Sequence, residues 1–175
     1  MPTNEYGTLV ERDGNRYLRF RRTLAHPVRK VWDALVDPDQ MIKWWAEQKR
    51  FDPRVGGDIQ VAWGGGGPDV SGTITAIDPP YLLEHTLEWS ETGDQVDFSW
   101  KLEPTPDGGT LLTFEHEVRG PFERKDASGW HSHLDLLEAA LAGKPSEFSR
   151  EAWREIDSRY EERMPDVPLG DVPAA

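Results

Sequence analysis

The chain has 175 residues, no cysteine, and 20 basic against 32 acidic residues, for a formal net charge of −12. That length suits one domain with a core of its own, the missing thiols exclude disulfides, thiolate metal sites and a cysteine nucleophile, and the acidity turns phosphate backbones away, so nucleic acid is not an expected partner. The apolar stretches fall short of the roughly 20 residues that span a bilayer and Met1 to Gly14 carries no apolar export core, so the expected localisation is cytoplasmic, with no membrane insertion.

Residues 1–15 read as an amino-terminal segment without an element of its own. From Arg16 to Leu24, Leu18, Phe20, Arg22 and Leu24 alternate with Tyr17, Arg19, Arg21 and Thr23, the period of a strand, expected at the edge of a sheet. Pro27 suits a first helical turn, and Val28, Val31, Trp32 and Leu35 follow at the spacing of one buried helix face. Asp37-Pro38-Asp39-Gln40 opens a second short helix whose apolar side is Met41, Ile42, Trp44 and Trp45.

From Phe51 to Val118 the period changes to two, and turn residues divide the stretch into about five strands of an antiparallel meander. Four groups share one apolar face: Ile59, Val61 and Trp63; Leu83, His85, Leu87 and Trp89; Val96, Phe98, Trp100 and Leu102; Leu112, Phe114, His116 and Val118. Glu84, Glu88, Asp97, Lys101, Glu115 and Glu117 fall on the other, wet face. The apolar face needs a cover, and the helix from Asp126 or Ser128 to Ala142 supplies one with Trp130, Leu134, Leu137 and Leu141, flanked by His133 and Ala140. Residues 144–164 hold a further helix, Ser146 to Arg163, with Phe148, Ala152, Ile156 and Tyr160 aligned and Trp153 beside them, packed on the outside; residues 165–175 read as a flexible tail.

The order of these segments resembles a family. Pro27-x-x-x-Val31-Trp32-x-x-Leu35, Asp37-Pro38 leading to Trp44-Trp45, Phe51-x-x-x-Val55-Gly56-Gly57, Gly72-x-Ile74 through Ile77-Asp78-Pro79-Pro80 to Leu82-x-x-x-Thr86, Leu102-Glu103-Pro104 with Gly108-Gly109-Thr110 and Thr113, and Gly129-Trp130-x-x-x-Leu134-x-x-Leu137 together resemble the activator-of-Hsp90-ATPase homologue branch of the START-like, or polyketide cyclase, superfamily. The resemblance covers residues 16–143 and implies an α+β, Bet v 1-like helix-grip fold: a curved antiparallel sheet wrapped on a long helix with a cavity between them. Its relatives include lipid carriers, cyclases and chaperone regulators linked to stress response, so the resemblance implies little about chemistry. Full-length Hsp90 activators carry a further chaperone-binding domain ahead of this one that this sequence lacks, which weighs against an Hsp90-type partner.

Eight tryptophans need either a core or a cavity wall. The expected ligand-binding residues are Trp45, Trp63, His85, Trp89, Phe98, Trp100, Phe114, His116, Trp130, His133, Leu134 and Leu137. His85 and His116 stand at inward positions of apolar strand faces, where a polar ring needs a partner: each other, His133, a ligand or water. His131-Ser132-His133 and Glu115-His116-Glu117 cannot chelate locally, because residues two apart on a helix, or adjacent on a strand, point away from one another, so neither metal nor cofactor is expected. Gly64 to Gly67 lacks the Lys and Ser or Thr of a phosphate loop and reads as a hairpin tip that gates the cavity.

Three functions compete. The first is binding of a hydrophobic small molecule, apolar, aromatic or lipid-like, by a monomer or homodimer in a regulatory role. The second is a cyclase- or dehydratase-type enzyme acting on an aromatic or polyketide-like substrate, with His85 or His116 as a base titrating near neutrality. The third is an interaction module such as a chaperone regulator.

Overall fold

The computed structural model describes residues 6–62, 69–89, 93–119 and 123–164. In chain order its elements are β1 (Thr8–Arg12), β2 (Asn15–Leu24), α1 (Val28–Val36), α2 (Pro38–Met41), β3 (Glu47–Phe51), β4 (Asp58–Ala62), β5 (Asp69–Asp78), β6 (Leu82–Trp89), β7 (Asp94–Pro104), β8 (Thr110–Val118), α3 (Glu123–Leu141) and α4 (Arg150–Glu161). The strands form one antiparallel sheet in the order β1-β2-β8-β7-β6-β5-β4-β3. This is the α+β arrangement expected, a curved sheet carrying a long helix on one face. Among the described residues no helix is long and apolar enough to cross a membrane.

Two strands were not foreseen. The first, β1, pairs with β2 from Thr8↔Arg19 to Arg12↔Asn15, so β2 lies inside the sheet and not at its edge. The connection is the dipeptide Asp13-Gly14, at φ 53° and 80°, the doubly left-handed loop whose twist matches that of paired strands. The second, β3, is an edge strand with sequence EQKRF; its charges protect an exposed edge and also erase the apolar alternation that marks other strands. Residues Ile42 to Trp44 form turns after a helix that ends at Met41, and Ile42 is exposed, which corrects its placement on a buried helix side.

Curvature comes from register shifts at Gln48/Arg50 and at Ile74/Ala76, where an extra residue bends the strand. Close approach adds to it: a Cβ on Gly72 would sit 1.8 Å from the Thr86 carbonyl oxygen, so β5 meets β6 through glycine. Gly56, at φ 79°, makes the β3–β4 turn, which is clamped to β5 by Gly56 N–H donating to Ile74 O at 2.8 Å and Ile74 N–H donating to Gly57 O at 2.9 Å.

The inward set on the central strands is as the two-residue period predicts: Ile59, Val61, Leu83, His85, Leu87, Val96, Phe98, Trp100, Leu102, Leu112, Phe114, His116 and Val118 are all buried. Trp130, Leu134, Leu137 and Leu141 of α3 are buried against them. Glu117 departs from its expected place in water: it is buried, with the Arg119 guanidinium donating to its carboxylate at 3.0 and 3.2 Å. Helix α4 starts at Arg150, capped by Ser149, whose hydroxyl accepts from Ala152 N–H at 3.3 Å. It presents Trp153, Ile156 and Tyr160 inward and leaves Phe148 and Ala152 exposed, a rotation of the expected stripe. The helix does not only lie on the outside, since Tyr160 is fully buried.

Candidate functional site

Register places aromatic rings in rows across the concave face. One row runs Ile74↔His85↔Phe98↔His116↔Leu18 and its neighbour runs Leu83↔Trp100↔Phe114↔Phe20. In the first row, His85 and His116 stack on Phe98 with centroids at 5.1 and 4.7 Å and interplanar angles of 3° and 8°. In the second, Trp100 stacks on Phe114 at 4.0 Å. Trp130 descends from α3 onto both rows, with centroids 4.6 Å from Phe114, 5.8 Å from Phe98 and from Trp100, and 6.1 Å from His116. Trp45, half-buried, leans on Trp130 at 5.3 Å. Of the Trp44-Trp45 pair, Trp44 is the core member, its indole N–H donating to Ala34 O at 2.8 Å.

These rings fill most of the space they enclose. The gap bounded by Leu35, Met41, Trp44, Trp45, Ile59, Leu83, His85 and Trp100 measures about 10 Å³, room for no more than one water. At this place, beside the short helix α2, the expected cavity is narrowed to that gap by the indoles of Trp44, Trp45 and Trp100. A larger hollow of about 310 Å³ lies on the opposite, solvent side of the sheet, lined by Arg12, Tyr17, Glu84, Asp97, Ser99 and Glu115 among others. Its polar groups are engaged with one another: Ser99 donates to Glu84 at 3.1 Å, and Glu115 accepts from Arg12 at 3.0 Å and Arg19 at 2.6 Å. Partial burial pushes the Glu115 carboxyl up, and the two guanidiniums more than offset this and hold it below the usual carboxylate range.

The inward histidines differ. His85 is fully occupied: the Trp100 indole can only donate, and does so to Nε2 at 3.3 Å, which leaves Nδ1 to carry the proton and donate to Thr86 O at 3.2 Å. Burial lowers its pKa from 6.5 to about 4, against a smaller upward pull from the Thr86 carbonyl. It is thus a neutral structural ring, and the expectation that it titrates near neutrality is corrected. Its partners are neither His116 nor His133, the two protein groups the sequence offered.

His116 is 8% exposed, and its Nδ1 is buried with no hydrogen-bond partner among the described residues. Its Nε2 lies 3.8 Å from Asp126 Oδ2 in the first turns of α3, within ion-pair range and longer than a hydrogen bond. A carboxylate opposite Nε2 favours the tautomer with the proton there, which leaves Nδ1 as a bare acceptor. Leaving such an atom buried costs about 1–3 kcal/mol.

His133 donates from Nδ1 to Trp44 O at 2.9 Å and faces Phe148 at 6.0 Å; burial lowers its pKa, against the Trp44 carbonyl, which raises it. His131 turns the other way, with Nδ1 3.0 Å from the Tyr160 hydroxyl, so the two imidazoles of His131-Ser132-His133 do not converge. Leu134 and Leu137 are core beneath α3. Trp89 closes β6, its side chain lying outside the described residues, as do Trp63 and the Gly64 to Gly67 tip.

Sequence reasoning passed over a second polar group. Arg22, 1% exposed on the inward face of β2, donates to Asp135 at 2.9 Å and Glu138 at 3.0 Å of α3. Beside it, the Tyr160 hydroxyl accepts from Gly7 N–H at 2.7 Å and faces His131, whose Nε2 is 3.7 Å from Asp135. His131 is lowered to about 4 by burial and then by the nearby Arg22 and Arg159 cations, and burial pushes the Tyr160 hydroxyl up. The available signal was an arginine at an apolar phase of a strand and two acids three residues apart on the covering helix.

Solved structures share this fold. CalU16 from Micromonospora echinospora is 25% identical, with a TM-score of 0.71, covering 89% of this chain and 95% of that one. Protein MLL2253 from Mesorhizobium loti is 25% identical, with a TM-score of 0.64, covering 73% of this chain and 98% of that one. DynU16, described as a putative protein in the dynemicin biosynthetic locus, is 22% identical with a TM-score of 0.67, covering 75% of this chain and 49% of that one, and shares the fold alone. No curated protein matches the chain. The model of the family "Activator of Hsp90 ATPase homolog 1-like protein" matches residues 25–142, more than half of the chain, and together with the helix-grip sheet, the covering α3 and these neighbours it makes the chain a member of that family within the START-like superfamily.

Proposed function

We propose that this protein binds an apolar, aromatic small molecule on the concave face of its grip, in the cytoplasm, in a regulatory role. The observation that carries the reading is the pair of ring rows roofed by Trp130 and Trp45, a surface of aromatic faces suited to stacking a planar guest. Because the gap beside Trp45, His85 and Trp100 holds about one water, a guest enters by displacing rings, and Trp45, half-buried at the rim, is the roof ring with more of its surface exposed. The ligand-free rings then hold the site shut, and binding is coupled to a rearrangement that indole fluorescence reports.

The enzyme reading is narrowed. A base needs a free nitrogen, and of the two candidates only His116 has one, since His85 spends both on Trp100 and Thr86. Titrating the protein with long-chain fatty acids and polycyclic aromatics, read by tryptophan quenching and native mass spectrometry, should give saturable one-to-one binding of a planar aromatic. A panel with no saturable binder would defeat the proposal. Turnover of an aromatic ketone lost in His116→Phe and kept in His85→Leu would move the reading to the cyclase class.

A further inference from the structure

We propose that His116 and Asp126 form the polar anchor of the concave face and that its ligand is an aromatic compound bearing a hydroxyl donor, a phenol or an enol. The inference rests on the binding reading above and names what that site recognises.

His116 is sandwiched on an aromatic wall, stacked at 4.7 Å on Phe98 and tilted at 6.1 Å to Trp130. Its Nδ1 is buried and finds no donor among the described residues. The other imidazoles around α3 and β6 have their Nδ1 engaged: buried His85 with Thr86, buried His131 with Tyr160, and half-buried His133 with Trp44. Among these imidazoles His116 alone keeps a buried nitrogen with no hydrogen bond among the described residues, which calls for a specific explanation. The ring could be apolar at no packing loss, as its row neighbours Phe98 and Leu18 are, so retention of an imidazole there is not required by the core.

Asp126 decides which nitrogen is open. Its carboxylate, 3.8 Å from Nε2, favours a proton on that nitrogen, which leaves Nδ1 as the nitrogen whose lone pair a ligand donor can meet. An acceptor flanked by ring faces selects a planar ligand whose edge donates a hydrogen bond. A carboxylate ligand brings no donor when ionised, so the anchor discriminates against fatty acids. Asp126 acts through His116 and is a positioning residue.

The test compares two near-isosteres, 2-naphthol and 2-methylnaphthalene, by fluorescence titration of the full chain. Wild type should bind 2-naphthol at least about tenfold tighter, the scale of one buried hydrogen bond. His116→Phe, which keeps the ring face and removes the acceptor, should bind both equally, whereas His116→Asn, whose carbonyl oxygen takes the place of Nδ1, should keep part of the preference. Long-range imidazole ¹H–¹⁵N spectra give a ligand-free readout: an unprotonated Nδ1 in wild type that moves on adding 2-naphthol, with the tautomer preference lost in Asp126→Ala. Equal binding of the two probes by wild type, or a preference that survives in His116→Phe, overturns the anchor and leaves the binding reading standing. Saturable binding of neither probe overturns both.

Discussion

The two sides of α3 treat buried polar groups differently. Toward β2 and α4, Arg22 donates to Asp135 and Glu138, His131 meets the Tyr160 hydroxyl, and that hydroxyl accepts from the Gly7 backbone. Toward β7 and β8, the rings are apolar or self-satisfied, except for His116, whose Nδ1 is open among the described residues. The first side behaves as a fastening, since each group has a partner inside the protein and its removal leaves the other stranded. The second side holds one acceptor that the fold itself does not use. Each side holds a deeply buried polar side chain, Arg22 on one and His116 on the other, so burial alone does not separate structural from recognition roles; what separates them is that Arg22 donates to two carboxylates, whereas among the described residues no hydrogen bond reaches His116 Nδ1.

The sharpest way to break this comparison is to strand the fastening. Asp135→Asn with Glu138→Gln removes both carboxylates from a guanidinium that is 1% exposed. Because the two carboxylates are themselves half-exposed and the amides keep an acceptor oxygen, removing both charges should cost about 2–3 kcal/mol of stability, below the full cost of breaking a buried pair, measured by urea unfolding, while aromatic-ligand affinity per folded molecule stays unchanged. A loss below about 1 kcal/mol would show that the network is incidental.

Acid should come next. His85 and His131 both have folded pKa values near 4, below the ordinary 6.5. A base depressed in this way binds fewer protons in the native than in the unfolded chain between those limits. Its stabilisation is complete above pH 6.5 and declines as pH falls toward 4, by on the order of 1 kcal/mol per pH unit for each ring. Stability of wild type minus that of His85→Leu, followed by denaturation from pH 7 to 4, should therefore shrink with acid; a difference that stays flat would contradict the buried neutral ring.

The smallest effects compare the two ends of the stacked row at pH 7. His85→Leu leaves the Trp100 indole N–H, in a residue 2% exposed, without its acceptor and should cost about 2 kcal/mol. His116→Phe breaks no hydrogen bond among the described residues and should change stability by less than about 1 kcal/mol, because it also removes an orphaned acceptor. Equal costs at the two positions would erase the distinction on which the anchor is built.

Much of the fold was legible because alternation and helical spacing are local. Leu83, Phe98, Phe114 and Trp130 each declared their buried side from neighbours two to four residues away. Asp13-Gly14 was also readable as a hairpin loop between Val10 and Tyr17, and β1 went unseen because its own residues, TLVER, carry little apolar pattern. The charged β3 was hidden for the same reason. The candidate site was half legible: inward phase singled out His85 and His116 alike.

What the sequence determined by itself, then, was which side chains turn inward, since that follows from backbone periodicity. Which inward polar atoms acquire partners was decided only in three dimensions, because Trp100 reaches His85 across a strand pair, Asp126 reaches His116 from the covering helix, and Tyr160 reaches His131 over 29 residues. Hydrogen bonds and ion pairs act over about 3 to 4 Å, and no pattern along the chain reports which distant groups the fold brings within that reach.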